Sequence, residues 1–288
     1  MNTHIPTLLL REWMQHKRGW LIAALAPPLI FLAILPFGGV QGLPNAPAEL
    51  VAMAAAAATV AVVYVICLLV ALFQLPGLAR RDAQDRSIEF WLSLPGRPSE
   101  SVAATVLAHA WLAPLGGAVI GALFALPVAA GVLTSAQGLG AATAVQWSEV
   151  VRAGAPLMLR LIAGTLPLTL WLAPLILVLM AASAWLKRLG VPVVLVGAGV
   201  AVAVLHGAYG IDWPLEALQD VNTRINHALF HNPAELIEAL RAGGPVGSLM
   251  LQDFGLALAD LASLQFLAWA AVAAAGFALV VMKRARAG

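Results

Sequence analysis

Charge is scarce in this chain. Only 10% of its 288 residues are Asp, Glu, Lys or Arg, against 61% hydrophobic. A soluble domain of that length has no interior large enough to hide so much apolar surface, so part of its solvent has to be lipid. Cysteine is nearly missing: Cys67 stands alone inside an apolar run, which excludes an intrachain disulfide or a cysteine metal cluster. Lysine is rare as well. Lys17, Lys187 and Lys283 are the complete set, and none sits in the G-x-x-x-x-G-K-[ST] context that cradles a phosphate. Any ATP that drives this chain therefore has to be bound by another polypeptide. Neither G-x-S-x-G nor H-E-x-x-H occurs, which disfavours a membrane protease. A net charge of +2 gives no footing for nucleic acid. Residues 1–19 are amphipathic and lack a small-residue cleavage pattern, so they read as retained rather than as a signal peptide.

What is present is a set of apolar runs, with a mean hydropathy of +0.90 over the whole chain. Six of them, at roughly 20–38, 49–75, 100–131, 155–186, 190–209 and 263–282, are long enough to cross a hydrocarbon core of ~30 Å. The expected fold is all-α: a polytopic membrane protein forming one transmembrane domain over 1–288. The second run carries five consecutive alanines at 54–58, where a neighbouring helix can approach closely. Orientation follows from the basic residues. Arg11, Lys17 and Arg18 precede the first run, and Arg80, Arg81, Arg86 and Arg97 separate the second from the third. Lys187 and Arg188 separate the fourth from the fifth, and Lys283, Arg284 and Arg286 follow the sixth. These are twelve of the sixteen Lys and Arg. The 38–48 loop has none, and 210–262 has Arg224 and Arg241 against seven acidic residues. Both termini are thus expected in the cytoplasm.

Several segments lie outside the spans. Residues 5–18 place Leu9, Leu10, Trp13 and Met14 on one helical side and Arg11, Glu12, Gln15 and Arg18 on the other, the pattern of an N-terminal interfacial helix. The long 210–262 segment reads as extracytoplasmic, with short helices near 214–228 and 233–242 and an apolar stretch at 246–262. Asp253 and Asp260 argue against that stretch being a seventh span. His227 and His231, four residues apart and near Glu235, are conceivable metal ligands; with no general-base Glu between them, they read as a solvated helix face and no metal is assigned. His109, about ten residues into the third span, is the notable intramembrane polar residue. It is expected to hydrogen-bond to a neighbouring helix, because no other ionisable group is evident at its depth. Arg160 is expected to extend to the outer interface.

One charged island stands out. Residues 79–95 combine Arg80, Arg81, Asp82, Asp85, Arg86 and Glu89 with a cluster of bulky apolar side chains, Phe90, Trp91, Leu92 and Leu94. Such a segment stays in water yet offers anchors for another protein's groove. From Asp85 to Pro95 (DRSIEFWLSLP), placed between a second and a third span, it resembles the cytoplasmic signature of bacterial ABC-transporter permeases of the type-two exporter class. The arrangement of an interfacial helix, six spans, a cytoplasmic segment at 76–99 and an extracytoplasmic helical element resembles their type V, ABCG-like architecture. The resemblance implies a coupling helix with Asp85, Glu89, Phe90, Trp91, Leu92 and Leu94 at the contact with an ATPase subunit, and a second, smaller contact at 187–190. It also implies pairing with a second permease copy or a related permease. No cofactor is expected on this chain, since ATP and Mg²⁺ would be bound by the partner ATPase. The setting would be the bacterial inner membrane. By the same resemblance the second and fifth spans would line the path with Thr59, Tyr64, Gln74, His206 and Tyr209, suiting a hydrophobic or amphipathic substrate. Two other classes stay open. An ion-coupled secondary transporter or channel would show repeated halves or paired intramembrane ionisable residues, and a membrane enzyme would show a nucleophile, base or metal constellation.

Overall fold

The chain is described here by a computed structural model covering residues 4–40, 46–80, 97–242, 244 and 246–286. Among the described residues every regular element is helical, as a chain that must satisfy its own backbone in lipid requires. Helix α1 runs Ile5–Ile34, α2 Ala48–Leu78, α3 Pro98–Gln137, α4 Leu139–Ala144 and α5 Trp147–Leu186. Then follow α6 Gly190–Tyr209, α7 Trp213–Leu229, α8 Pro233–Ala242, α9 Val246–Asp260 and α10 Leu264–Ala285.

Helix boundaries follow local chemistry. Proline opens α3 at Pro98, where a missing N–H costs nothing. The Ser263 hydroxyl accepts from the Phe266 N–H at 3.1 Å and caps α10. Helix α6 ends on Gly210 at φ 62, the left-handed geometry that closes a helix, with Ile211 N–H donating to Leu205 C=O. Pro114 has no N–H to donate to Ala110 C=O, and the ladder shifts: the Ala113 N–H pairs five residues back with Ala108, forming a π-helical turn over Leu107–Leu112. The Thr169 hydroxyl supplies the carbonyl of Ala110 with a donor at 3.1 Å.

Five helical runs among the described residues are long and apolar enough to cross a membrane: Ile5–Phe37, Ala48–Leu78, Pro98–Gln137, Trp147–Tyr209 and Leu264–Ala285. The fourth contains two of the expected spans, divided by a tight turn at Lys187–Leu189 in which Lys187 adopts φ 58. Gly190, directly after it, lies against the backbone of Ala182 and Ser183, so a side chain there would collide. Residues 5–18 form no separate helix. They are the opening turns of α1, because nothing between Pro6 and Pro27 interrupts the helical ladder. Leu10, Trp13 and Met14 are exposed, while Glu12 on the opposite side is fully buried. Arg11 and Glu12 therefore meet protein, while Gln15 and Arg18 on the same polar side are exposed.

The core is built from α2, α3, α5 and α10, around Tyr64, Leu75, Val102, Leu168, Trp171, Met180 and Val280. Its closest approach joins α2 to α3. Gly117 and Gly121, one turn apart on α3, lie where an added Cβ would stand 2.7 Å from Cys67 Sγ and 2.9 Å from Val60 Cα. This is a small-xxx-small contact, in which absent side chains let two backbones meet and dispersion act over many atoms. Helix α6 is the opposite case, with only Gly190 buried along its length.

The α2–α3 contact yields a prediction. Gly121→Leu should destabilise the detergent-solubilised protein by about 1–3 kcal/mol through overpacking, whereas Gly116→Leu, which points into open space, should leave the thermal midpoint unchanged. Equal midpoints for the two variants would disprove this contact.

Candidate functional site

Two buried ionic clusters lie toward opposite ends of the bundle. The first joins α1 to α3. Glu12 accepts from Arg11 Nη2 at 2.8 Å and from the Thr105 hydroxyl at 3.1 Å on one carboxylate oxygen, Oε1. Its other oxygen, Oε2, faces His109 Nε2 at 3.4 Å and His16 Nδ1 at 3.6 Å. The rings of His16 and Trp20 meet that of His109 edge-on, with centroids 4.6 and 4.9 Å away. Arg284, at the end of α10, donates to the Ser101 hydroxyl at 2.9 Å and brings a third helix to the cluster. His109 sits on the π-helical turn and is fully buried. The expectation of an isolated His109 bonded to a helix carbonyl is thereby corrected. A carboxylate and a second imidazole reach its depth, and neither of its ring nitrogens has a hydrogen-bond partner among the described residues.

The second cluster corrects the expectation for Arg160, which does not extend to water. It is 2% exposed. Its Nε donates to Asp253 Oδ1 at 2.6 Å and its Nη1 to the Ala228 carbonyl at 3.0 Å, with Phe230 and Phe254 against the guanidinium faces. Asp253 Oδ2 accepts from the Asn232 backbone N–H at 2.9 Å. Helices α7 and α9 thus close over the charge. In this setting two ions removed from water need each other: the pair is weak in net terms, but either ion alone is costly.

The third grouping lies beside it. Helix α7 stops at Leu229, because Phe230 is extended and Pro233 restrains the residue before it. His231 therefore sits beyond the helix rather than on its face. The rings of His227 and His231 still converge, at 4.1 Å between centroids, and both face Asp260 at the end of α9. Arg224 is ion-paired with the other oxygen of Asp260. Burial, and next the neighbouring His231, push the His227 imidazole below its usual range, against the opposing pull of Asp260.

The remaining expected site residues separate. Thr59 is buried, donating to the Ala55 carbonyl at 2.8 Å, and the Tyr64 hydroxyl meets Thr165 Oγ1 at 3.0 Å, stitching α2 to α5. Gln74 is half-buried. His206 is exposed and 2.5 Å from Asp212, and Tyr209 is exposed. Within one chain these five do not meet around a common cavity. One cavity is lined by Leu35, Phe37, Gly131 and Ser135, another by His231, Asn232, Leu249 and Asp253. Asp85, Glu89, Phe90, Trp91, Leu92 and Leu94 lie outside the described residues.

Both clusters had faint signals in the sequence. Glu12 is the sole acidic residue in 1–48, and His16 follows it at helical spacing. Arg160 and Asp253 are opposite charges in otherwise apolar stretches, each in need of a counter-ion. Comparison with protein-family models, with curated proteins and with solved structures found no match.

The ion pair generates a prediction. Asp253→Ala, which strands Arg160, should cost about 3–5 kcal/mol of stability, and the apolar double replacement Arg160→Met with Asp253→Leu distinctly less. Thermal unfolding in detergent measures both, and a double variant as unstable as the single would refute the pairing.

Proposed function

We propose that this chain is the permease subunit of an ATP-driven exporter, two copies of which enclose a path for a hydrophobic or amphipathic substrate while separate ATPase subunits supply the energy. The observation that carries this reading is the charged, aromatic-bearing segment 82–95 set between the end of α2 and the start of α3. Leu78 and Ala79 before it are buried, and the first turns of α3 after it contact Arg11, Glu12 and Arg284. Force received there has a stiff polar junction of three helices beside it. The same end of the bundle gathers Arg11, Lys17, Arg18, Arg80, Arg97, Lys187, Arg188, Lys283, Arg284 and Arg286, which supports a cytoplasmic placement of both termini. Catalysis is assigned to the partner, not to this chain. Helix α6 supports pairing of two copies: Val193, Val196, Val200 and Val204 are exposed and Gly197 and Gly199 face open space, leaving room for a second helix.

One observation favours a second reading. Buried Glu12 and His109 are paired ionisable groups, the feature that ion-coupled secondary transporters require. Transport that needs no ATPase and is abolished by Glu12→Gln would select that reading.

Two tests address the main proposal. Trp91→Ala should leave the chain folded in the membrane yet weaken ATPase association by about 2 kcal/mol or more, the scale of a hot-spot truncation, and lower transport with it. Co-purification and transport assays read both, and normal values for each would sink the coupling role of 82–95. In a Cys67→Ala background, Val200→Cys should form a disulfide between two copies on oxidation. Absence of cross-linking at positions 196, 200 and 204 alike would exclude pairing through α6.

A further inference from the structure

Three side chains from two segments point nitrogen and oxygen atoms at one spot: His227 from α7, His231 from the connector beyond it, and Asp260 from the end of α9. Their closest ligand-type atoms all lie within 4.8 Å of one another. Asp260 Oδ2 stands 3.8 Å from His227 Nδ1 and 3.9 Å from His231 Nε2. Those separations are too long for hydrogen bonds. Two ligands bound at ~2.1 Å on a tetrahedral ion stand ~3.4 Å apart, so each imidazole would have to move toward Asp260 by about half an ångström. His227 Nδ1 and Asp260 Oδ2 are buried atoms with no hydrogen-bond partner among the described residues. Buried polar atoms in that condition are costly unless something fills the gap.

The surroundings fit an ion as well. Arg224 occupies Asp260 Oδ1 and so fixes the carboxylate with Oδ2 turned toward the imidazoles, the orienting role that outer groups play around metals. The other charged groups nearby are Asp253, already paired with Arg160, and Glu235, hydrogen-bonded to Asn232. Two imidazoles and one carboxylate suit a borderline transition metal, not Ca²⁺ or Mg²⁺, which prefer oxygen alone. His231 also lines the cavity with Asn232, Glu235 and Leu249, so one of the three side chains reaches solvent-sized space.

We propose that His227, His231 and Asp260 form a divalent transition-metal site, filled by Zn²⁺ with one solvent ligand, that clamps the end of α7 to the end of α9. The site is independent of the transport reading. It secures the two helices that cover Arg160, so metal and ion pair hold the same cap from adjacent points.

The test uses the full chain, purified in detergent with a tag free of histidine and titrated with zinc chloride. Wild-type protein should retain one zinc per chain after desalting and show a higher thermal midpoint with zinc than with chelator. His231→Ala, a change in a connector outside the helices, should weaken zinc binding at least about 100-fold and remove the thermal shift, as loss of one of three ligands requires. Asp260→Asn should do the same. His109→Gln should keep both properties, which separates this site from the Glu12 cluster. Absence of saturable zinc in the wild type, undiminished binding by His231→Ala, or loss of binding in His109→Gln would each overturn the assignment.

Discussion

A single guanidinium–carboxylate contact orders one whole end of this protein. Arg160 lies on the long helix of the bundle, and Asp253 belongs to α9, which also buries Met250 and Ala257. Both ions lose most of their water on folding, and neither has another charged group at such close range, so α9 is fixed in place by the cost of separating them. The carbonyls of Ala228 and His227 accept from the same guanidinium. The end of α7 is thereby bound to the same point, and Asn232 attaches the connector through Asp253. The end of α7 and the middle of α9 converge on one planar cation of α5, whose fork geometry can serve several acceptors at once.

The other end is organised by a similar economy of charge. Glu12 is the only carboxylate near the start of the chain, and it is placed where Arg11, Thr105, His16 and His109 meet it. A π-helical turn forced by Pro114 lies under the His109 side of this arrangement. A backbone irregularity, whose origin is a missing N–H, thus coincides with the only histidine of the third expected span. Such turns concentrate where a side chain must be aimed rather than merely packed.

The helical class, the apolar runs and the two short helices near 214–228 and 233–242 are legible because they rest on composition, period and proline placement, which act locally. What stayed hidden was partnership. Arg160 alone looks like a residue that would reach for water, and only the fold brings a carboxylate 93 positions away to it. His109 alone looks like a lone polar residue in a span, since Glu12 sits in a segment whose amphipathic pattern matches a surface helix. The pattern is two-sided, but which of its residues meet protein depends on the neighbour, and α3 supplies one for Glu12. The break after Leu229 was foreshadowed by Asn232-Pro233, yet the helical spacing of the two histidines masked it.

Helix α5 has 40 residues, so at 1.5 Å per residue it is about 60 Å long, twice a hydrocarbon core of ~30 Å. It is gripped in its first half through Arg160 and at its far end through Trp185, whose indole N–H donates to the Leu279 carbonyl of α10. A straight rod of that length would act as a lever. Each degree of tilt about its middle carries the ends about half an ångström in opposite directions over a ~30 Å arm. Pro156, Pro167 and Pro174 each remove one rung of its backbone ladder, setting three points of lower bending stiffness along the shaft. A tilt imposed at one end is then divided among these points rather than passed rigidly to the other.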